Sequence, residues 1–168
     1  MSDVVRAARI EDAAGITRIY NEGIADRIAT FETEPRTAER MAKILAERQG
    51  RYPTVVVERD GRVIAWAGAS EYRPRGCYAG VAEFSVYVGR EARGTGAGTS
   101  AMRALIAACE ANGLWKLVSR VFPENTASRR LCASLGFSEV GVYRRHAKLD
   151  GAWRDVVIVE KLIGEAAR

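Results

Sequence analysis

The stretch from residue 81 to residue 113 constrains the fold of this chain more than any other. Residues 81–88, VAEFSVYV, are rich in β-branched and aromatic residues and read as a strand. Residues 98–113, GTSAMRALIAACEANG, carry apolar residues at helical spacing up to Gly113. Between them lies a junction, REARGTGAGTS at residues 90–100, with Gly94, Gly96 and Gly98 behind Arg93. A strand that turns through glycines into a helix is an α/β element. The first turn of such a helix leaves backbone N–H groups free and adds a partial positive charge, which suits phosphate oxygens. Glycines let the backbone approach those oxygens closely.

The spacing narrows what the junction holds. A nucleoside-triphosphate loop needs Gly-Lys followed by Ser or Thr, whereas Gly98 is followed by Thr99 with no lysine nearby. A dinucleotide fingerprint needs G-x-G-x-x-G, whereas this junction reads G-x-G-x-G and no second βαβ unit follows. What remains is an arginine followed by x-x-G-x-G: Arg93, Gly94, Thr95, Gly96, Ala97, Gly98.

The rest of the chain supplies the elements around it. VVRAA at 4–8 is a short strand, and Glu11 or Asp12 opens a helix with Ile16, Ile19, Tyr20 and Ile24 on one face. Thr37 opens a second helix to about residue 49. TVVVERDGRVIAWAGASEY is a hairpin about Asp60-Gly61. KLVSRV is a strand, Asn125 caps a helix ended by Gly136, and strands at 137–148 and 152–162 flank Asp150-Gly151. The order is β-α-α-β-β-β-α-β-α-β-β, read as one α/β domain over residues 1–168.

Composition excludes several classes. At 48% hydrophobic and 28% charged residues the chain has an ordinary globular balance, and no stretch approaches the ~20 apolar residues of a membrane span. The N-terminus lacks an apolar signal core, so a cytoplasmic location is expected. Three cysteines, Cys77, Cys109 and Cys132, with a single histidine make neither a disulfide framework nor a zinc site. No metal is expected. The net charge of +5 is spread along the chain, so no nucleic-acid partner is expected and a small polyanion suits it better.

The Arg93–Gly98 motif resembles the pyrophosphate loop of the GNAT superfamily of N-acetyltransferases. About 30 residues on, PENTASRRLCASLGF at 123–137 resembles that superfamily's next signature, N-x-x-S followed by L-G-F. IYNEGIADRIATFETEPRT (19–37), AEFSVYV (82–88) and DGAWRDV (150–156) resemble the phosphinothricin and arsinothricin N-acetyltransferase branch. The resemblance implies a GNAT acyl-CoA N-acyltransferase fold, with a central twisted, mixed but mostly antiparallel sheet flanked by helices. It also implies acetyl-CoA as cosubstrate, a small amino-acid acceptor (phosphinothricin, arsinothricin or methionine sulfoximine) and a homodimer. Other GNAT acceptors, a different small amine or a protein N-terminus, remain open. So does a module that binds CoA without turnover.

The same resemblance assigns roles. Arg93, Gly94, Thr95, Gly96, Ala97 and Gly98, with Asn125 and Ser128, would hold the CoA. Strand residues Val86, Tyr87 and Val88 would hold its pantetheine arm, through open backbone groups at Val86 and Val88. An amino-acid ammonium must lose a proton before it attacks a thioester, so a base is needed. Glu83 alternates with Val81, Ser85 and Tyr87 on one face of its strand, opposite Ala82, Phe84, Val86 and Val88. Burial there would raise its pKa toward the range of a general base. The competing reading of Glu83 is a structural ion pair with Arg73 or Arg75. Those two arginines, with Phe31 and Ser85, are expected to border the acceptor pocket. Cys132 stands where many superfamily members carry a tyrosine that protonates the leaving thiolate; it reads here as packing, which leaves the general acid open.

Overall fold

A computed structural model describes residues 2–168 of the chain. Seven strands and four α-helices follow the expected order: β1 (Val4–Ala7), α1 (Ala13–Asp26), α2 (Ala38–Arg48), β2 (Thr54–Arg59), β3 (Arg62–Glu71), β4 (Val81–Val88), α3 (Ala97–Ala111), β5 (Lys116–Val121), α4 (Thr126–Ser134), β6 (Ser138–Leu149) and β7 (Ala152–Leu162). They form one sheet in the order β1-β2-β3-β4-β5-β7-β6. Every pairing is antiparallel except β4 with β5. Both Asp-Gly turns take left-handed backbone at both residues, with φ of 52° and 76° at Asp60 and Gly61 and 50° and 80° at Asp150 and Gly151. That geometry matches the twist of the strands they join.

Side-chain alternation sorts the core onto the two faces of the sheet. Val55, Val57, Ala65, Ala67, Ala69, Ala82 and Phe84 point toward α3, whose buried stripe is Ala97, Ala101, Met102, Leu105 and Cys109. Val56, Val63 and Trp66 point the other way, onto Ile16, Ile19, Tyr20 and Ile24 of α1 and onto Met41 and Leu45 of α2. Truncating a residue as enclosed as Leu105 to alanine would cost about 2–5 kcal/mol. Near the chain start, the Arg6 guanidinium bridges Asp12 at 2.8 Å and Glu58 at 2.7 Å. Asp12 also accepts from the Arg9 backbone N–H at 2.7 Å. The Arg6 contact, more than that backbone bond, holds its carboxyl below the usual range. This clamp fixes the entry to α1.

The site follows from one break in the sheet. β4 and β5 pair only at Val81–Glu83 with Lys116–Val118. Beyond that the two strands part, and β5 continues beside β7 alone through Ser119–Val121.

Candidate active site

At the parting of β4 and β5, the Ser119 hydroxyl donates to the Phe84 carbonyl at 2.9 Å. Phe84 therefore presents its backbone polar groups to the open edge. Strand alternation places those of Val86 and Val88 on that edge too, while the Gly89 N–H turns the other way to Ile64 O at 2.8 Å. Two open peptide groups in a row can receive an extended amide chain as an added strand.

Glu83 sits at the base of the parting. Its side chain is 34% exposed, so the burial expected from the sequence is absent, because the separated strands leave it facing a cavity. It is ion-paired, but neither Arg73 nor Arg75 is the partner. Arg120 of β5 donates to its carboxylate at 3.1 Å. At 49% exposure of the Arg120 side chain the pair is well solvated and can be exchanged for another contact.

The glycine junction is open where a ligand would need it open. Gly94 and Gly96 have φ of +76° and +89°, and a Cβ added to either would meet nothing within 4 Å. Gly98 serves a different end: a Cβ there would lie 3.1 Å from Val88 and 3.5 Å from Leu131, so it lets α3 close against β4 and α4. The Ala97 side chain is in the core, which leaves only its backbone to face the junction. The Thr95 hydroxyl donates back to the Ala92 carbonyl, bracing the turn. Arg93 and Arg90 each reach Asp26 at the end of α1, both at 2.7 Å. Asn125 caps α4 by accepting from the Ser128 N–H at 3.2 Å and donates to the Ile28 carbonyl at 3.4 Å.

These parts line connected hollows. A cavity of about 240 Å³ is walled by Val86, Val88, Arg93, Gly94, Asn125 and Ser128. It shares Tyr87, Asn125 and Ser128 with a narrow neck of about 60 Å³ that contains Ser85, Ser119, Arg120 and Cys132. The neck shares Ser85, Ser119 and Arg120 with a larger cavity of about 490 Å³, which Glu83 also lines. Phe31 walls that cavity and packs edge-on against Phe122, with ring centroids 4.9 Å apart. Tyr87 walls all three. Its ring stacks on Trp66 at 5.2 Å, and burial of its hydroxyl pushes its pKa up. Cys132 is buried, and burial, with a smaller effect of Glu139, pushes its thiol up to about 11.

Arg73 and Arg75 do not join this set. The chain after β3 turns through a short 3-10 segment, Gly76–Tyr78, and both guanidiniums lie exposed beside tyrosine rings, 5.1 Å from Tyr72 and 5.9 Å from Tyr78. The cations that do line the large cavity are Arg36, Arg48 and Arg120, together with His146, the chain's single histidine. Sequence reasoning missed them. Arg120 carried a legible signal, a charge within an interior strand between Ser119 and Val121. Arg36 and Arg48 flank α2, and nothing local tells which way they reach.

The family model for the acetyltransferase (GNAT) domain matches residues 4–138. A phosphinothricin N-acetyltransferase of Alcaligenes faecalis is 35% identical over 159 residues, covering 94% of this chain and 81% of that one. An L-methionine sulfoximine/L-methionine sulfone acetyltransferase of Pseudomonas paraeruginosa is 33% identical, covering 95% and 94%. Among solved structures, a phosphinothricin acetyltransferase from Sinorhizobium meliloti in complex with acetyl-CoA superposes with a TM-score of 0.92 at 32% identity, over 99% of this chain and 91% of that one. The matched span takes in β4, the glycine junction and the Asn125 cap, the same three elements that build the connected hollows, and the chain belongs to the GNAT family of acetyltransferases.

Proposed function

We propose that this enzyme transfers the acetyl group of acetyl-CoA to the α-amine of a small amino acid of the phosphinothricin, arsinothricin or methionine sulfoximine kind. The observation that carries the reading is the run of hollows from the glycine junction to a cationic cavity, which Glu83 lines while paired with Arg120 of the neck. The junction fits the cosubstrate: Gly94 and Gly96 leave a cradle that any side chain would fill, and Arg93 stands beside it. Val86 and Val88 offer backbone groups for the pantetheine amides, and Asn125 and Ser128 face the same hollow. Acetyl-CoA supplies the activated acetyl group. The chain's own residues orient the amine, exclude water through Phe31 and Phe122, and take up the ammonium proton at the Glu83 carboxylate, directly or through a water. Buried Cys132 is a poor proton donor, and solvent at the neck supplies the proton to the departing thiol.

The test is a thiol-release assay over phosphinothricin, arsinothricin, methionine sulfoximine, glutamate, a polyamine and a peptide N-terminus. Turnover of the amino-acid analogues is expected. Preference for the polyamine or the peptide would reject the acceptor class, and no turnover with any amine would favour a CoA-binding module. We further infer a single catalytic domain that acts in the cytoplasm as a homodimer. The exposed Val140, Val142, Tyr143 and Trp153 leave the outer β6–β7 hairpin with apolar side chains that a second copy would cover. A monomer in sedimentation at micromolar concentration would reject the dimer.

A further inference from the structure

The large cavity has two cationic ends. Arg120 belongs to the neck end, where it is tied to Glu83, and it lines the neck with Ser85 and Ser119. Arg36 and Arg48 line the large cavity but not the neck. They stand on its helix side with Tyr20 and Trp66. Neither is ion-paired among the described residues. Glu32 and Glu83 line the same cavity, yet among the described residues no carboxylate lies within 4.0 Å of either guanidinium. Two like charges held near each other in a partly desolvated cavity repel, and the Arg48 guanidinium is pushed below its ordinary value first by burial and then by Arg36, with Glu47 opposing the shift only in part.

The arrangement is built rather than incidental. The Arg36 backbone is locked to α1 on both sides, its N–H donating to the Asn21 side chain at 2.8 Å and its carbonyl accepting from it at 3.0 Å. Its guanidinium lies 4.2 Å from the centroid of the Tyr20 ring, which holds the fork in place without neutralising it. Fixed guanidinium donors with no partner of their own are matched to an oxyanion, planar or tetrahedral.

We propose that Arg36 and Arg48 form an anion subsite at the helix-side end of the acceptor cavity, which takes an anionic head on the substrate side chain while the amine faces Glu83. The proposal rests on the amino-acid acetyltransferase reading above. It makes the charge of the side-chain head, and not only the amino-acid backbone, a determinant of choice. A phosphinate carries that charge; a sulfone of similar shape does not.

The experiment compares phosphinothricin with methionine sulfone in the parent enzyme and in Arg36→Met, Arg48→Gln and the double variant. Arg36→Met keeps the aliphatic stem over Tyr20, and acetyl-CoA affinity and the melting temperature report whether each variant is folded. The parent should prefer phosphinothricin. Loss of one charge-assisted contact should raise its KM by roughly tenfold or more with a smaller effect on kcat, and should lower the kcat/KM ratio of phosphinothricin to methionine sulfone by about the same factor. Should Arg36→Met not fold, Arg48→Gln carries the test alone. Folded variants that keep the parent's preference, or a parent that prefers the sulfone, would overturn the subsite and leave the acetyltransferase reading intact. A parent that acetylates neither compound would overturn that reading, and the subsite with it.

Discussion

As the proposed base, Glu83 bears the heaviest chemical demand in the chain. The acceptor arrives as an ammonium, and this carboxylate lines the large cavity while paired with Arg120, which also lines the neck. Glu83→Gln keeps the shape and removes the base, so turnover should fall by roughly 10²–10⁴ while acetyl-CoA affinity is kept. The deficit should narrow as pH rises, because more of the amine is then already neutral. A rate–pH profile from 6 to 9 that coincides with the parent's would show the residue to be structural. The candidacy of Glu83 was legible from alternation along VAEFSVYV, because period two is a local property of the strand. Its setting was not. Both the half-open environment and the choice of Arg120 over Arg73 or Arg75 depend on where β5 leaves β4, and no local pattern marks that point.

At the scale of the element, strand, junction and helix are each simple, and their placement creates the site. Gly96 caps α3 with a left-handed φ of +89°, just after Arg93 and Gly94, which line the hollow. Signals of this kind were readable because turns and caps depend on a few adjacent residues: the Asp-Gly hairpins, the Asn125 cap and the glycine junction all stand where the sequence puts them. The end of α1 was not readable as part of the site. Asp26, its last residue, bridges Arg90 and Arg93 and thereby occupies the guanidiniums that flank the junction. Arg90 foremost and then Arg93 hold its carboxyl below the usual range. The sign follows: a depressed carboxyl pKa means that the pairing is intact at neutral pH and is lost only as pH falls through the lowered value. An anionic ligand at the junction must therefore compete with Asp26. Asp26→Asn should tighten acetyl-CoA binding several-fold at neutral pH, and calorimetry showing an unchanged or weaker affinity would mean that the pairing orients the arginines instead of masking them.

At the scale of the whole molecule, the hollows are walled by parts drawn from both faces of the sheet. The cosubstrate hollow joins α1, the 27–31 segment, β4, the junction before α3, and α4. Those elements belong to the two separate cores on opposite faces of the sheet, and beyond Glu83 the backbone ladder between β4 and β5 ends, leaving the Ser119 hydroxyl bond to the Phe84 carbonyl. A ligand lying along that gap ties the faces together, and it binds the folded chain alone. Acetyl-CoA at a hundredfold excess over its Kd should then stabilise the fold by about 2.7 kcal/mol. For a chain of 168 residues that corresponds to a rise in Tm on the order of 5–10 °C. Gly96→Asp tests where the gain arises, since it puts a side chain and a negative charge into the cradle while leaving both cores untouched. The strained φ at that position will lower its Tm without ligand, so the comparison is the shift on adding acetyl-CoA and not the absolute value. The shift should vanish in Gly96→Asp and persist in Glu83→Gln, which separates holding the cosubstrate from using it. An equal shift in Gly96→Asp would move the cosubstrate away from the glycine junction.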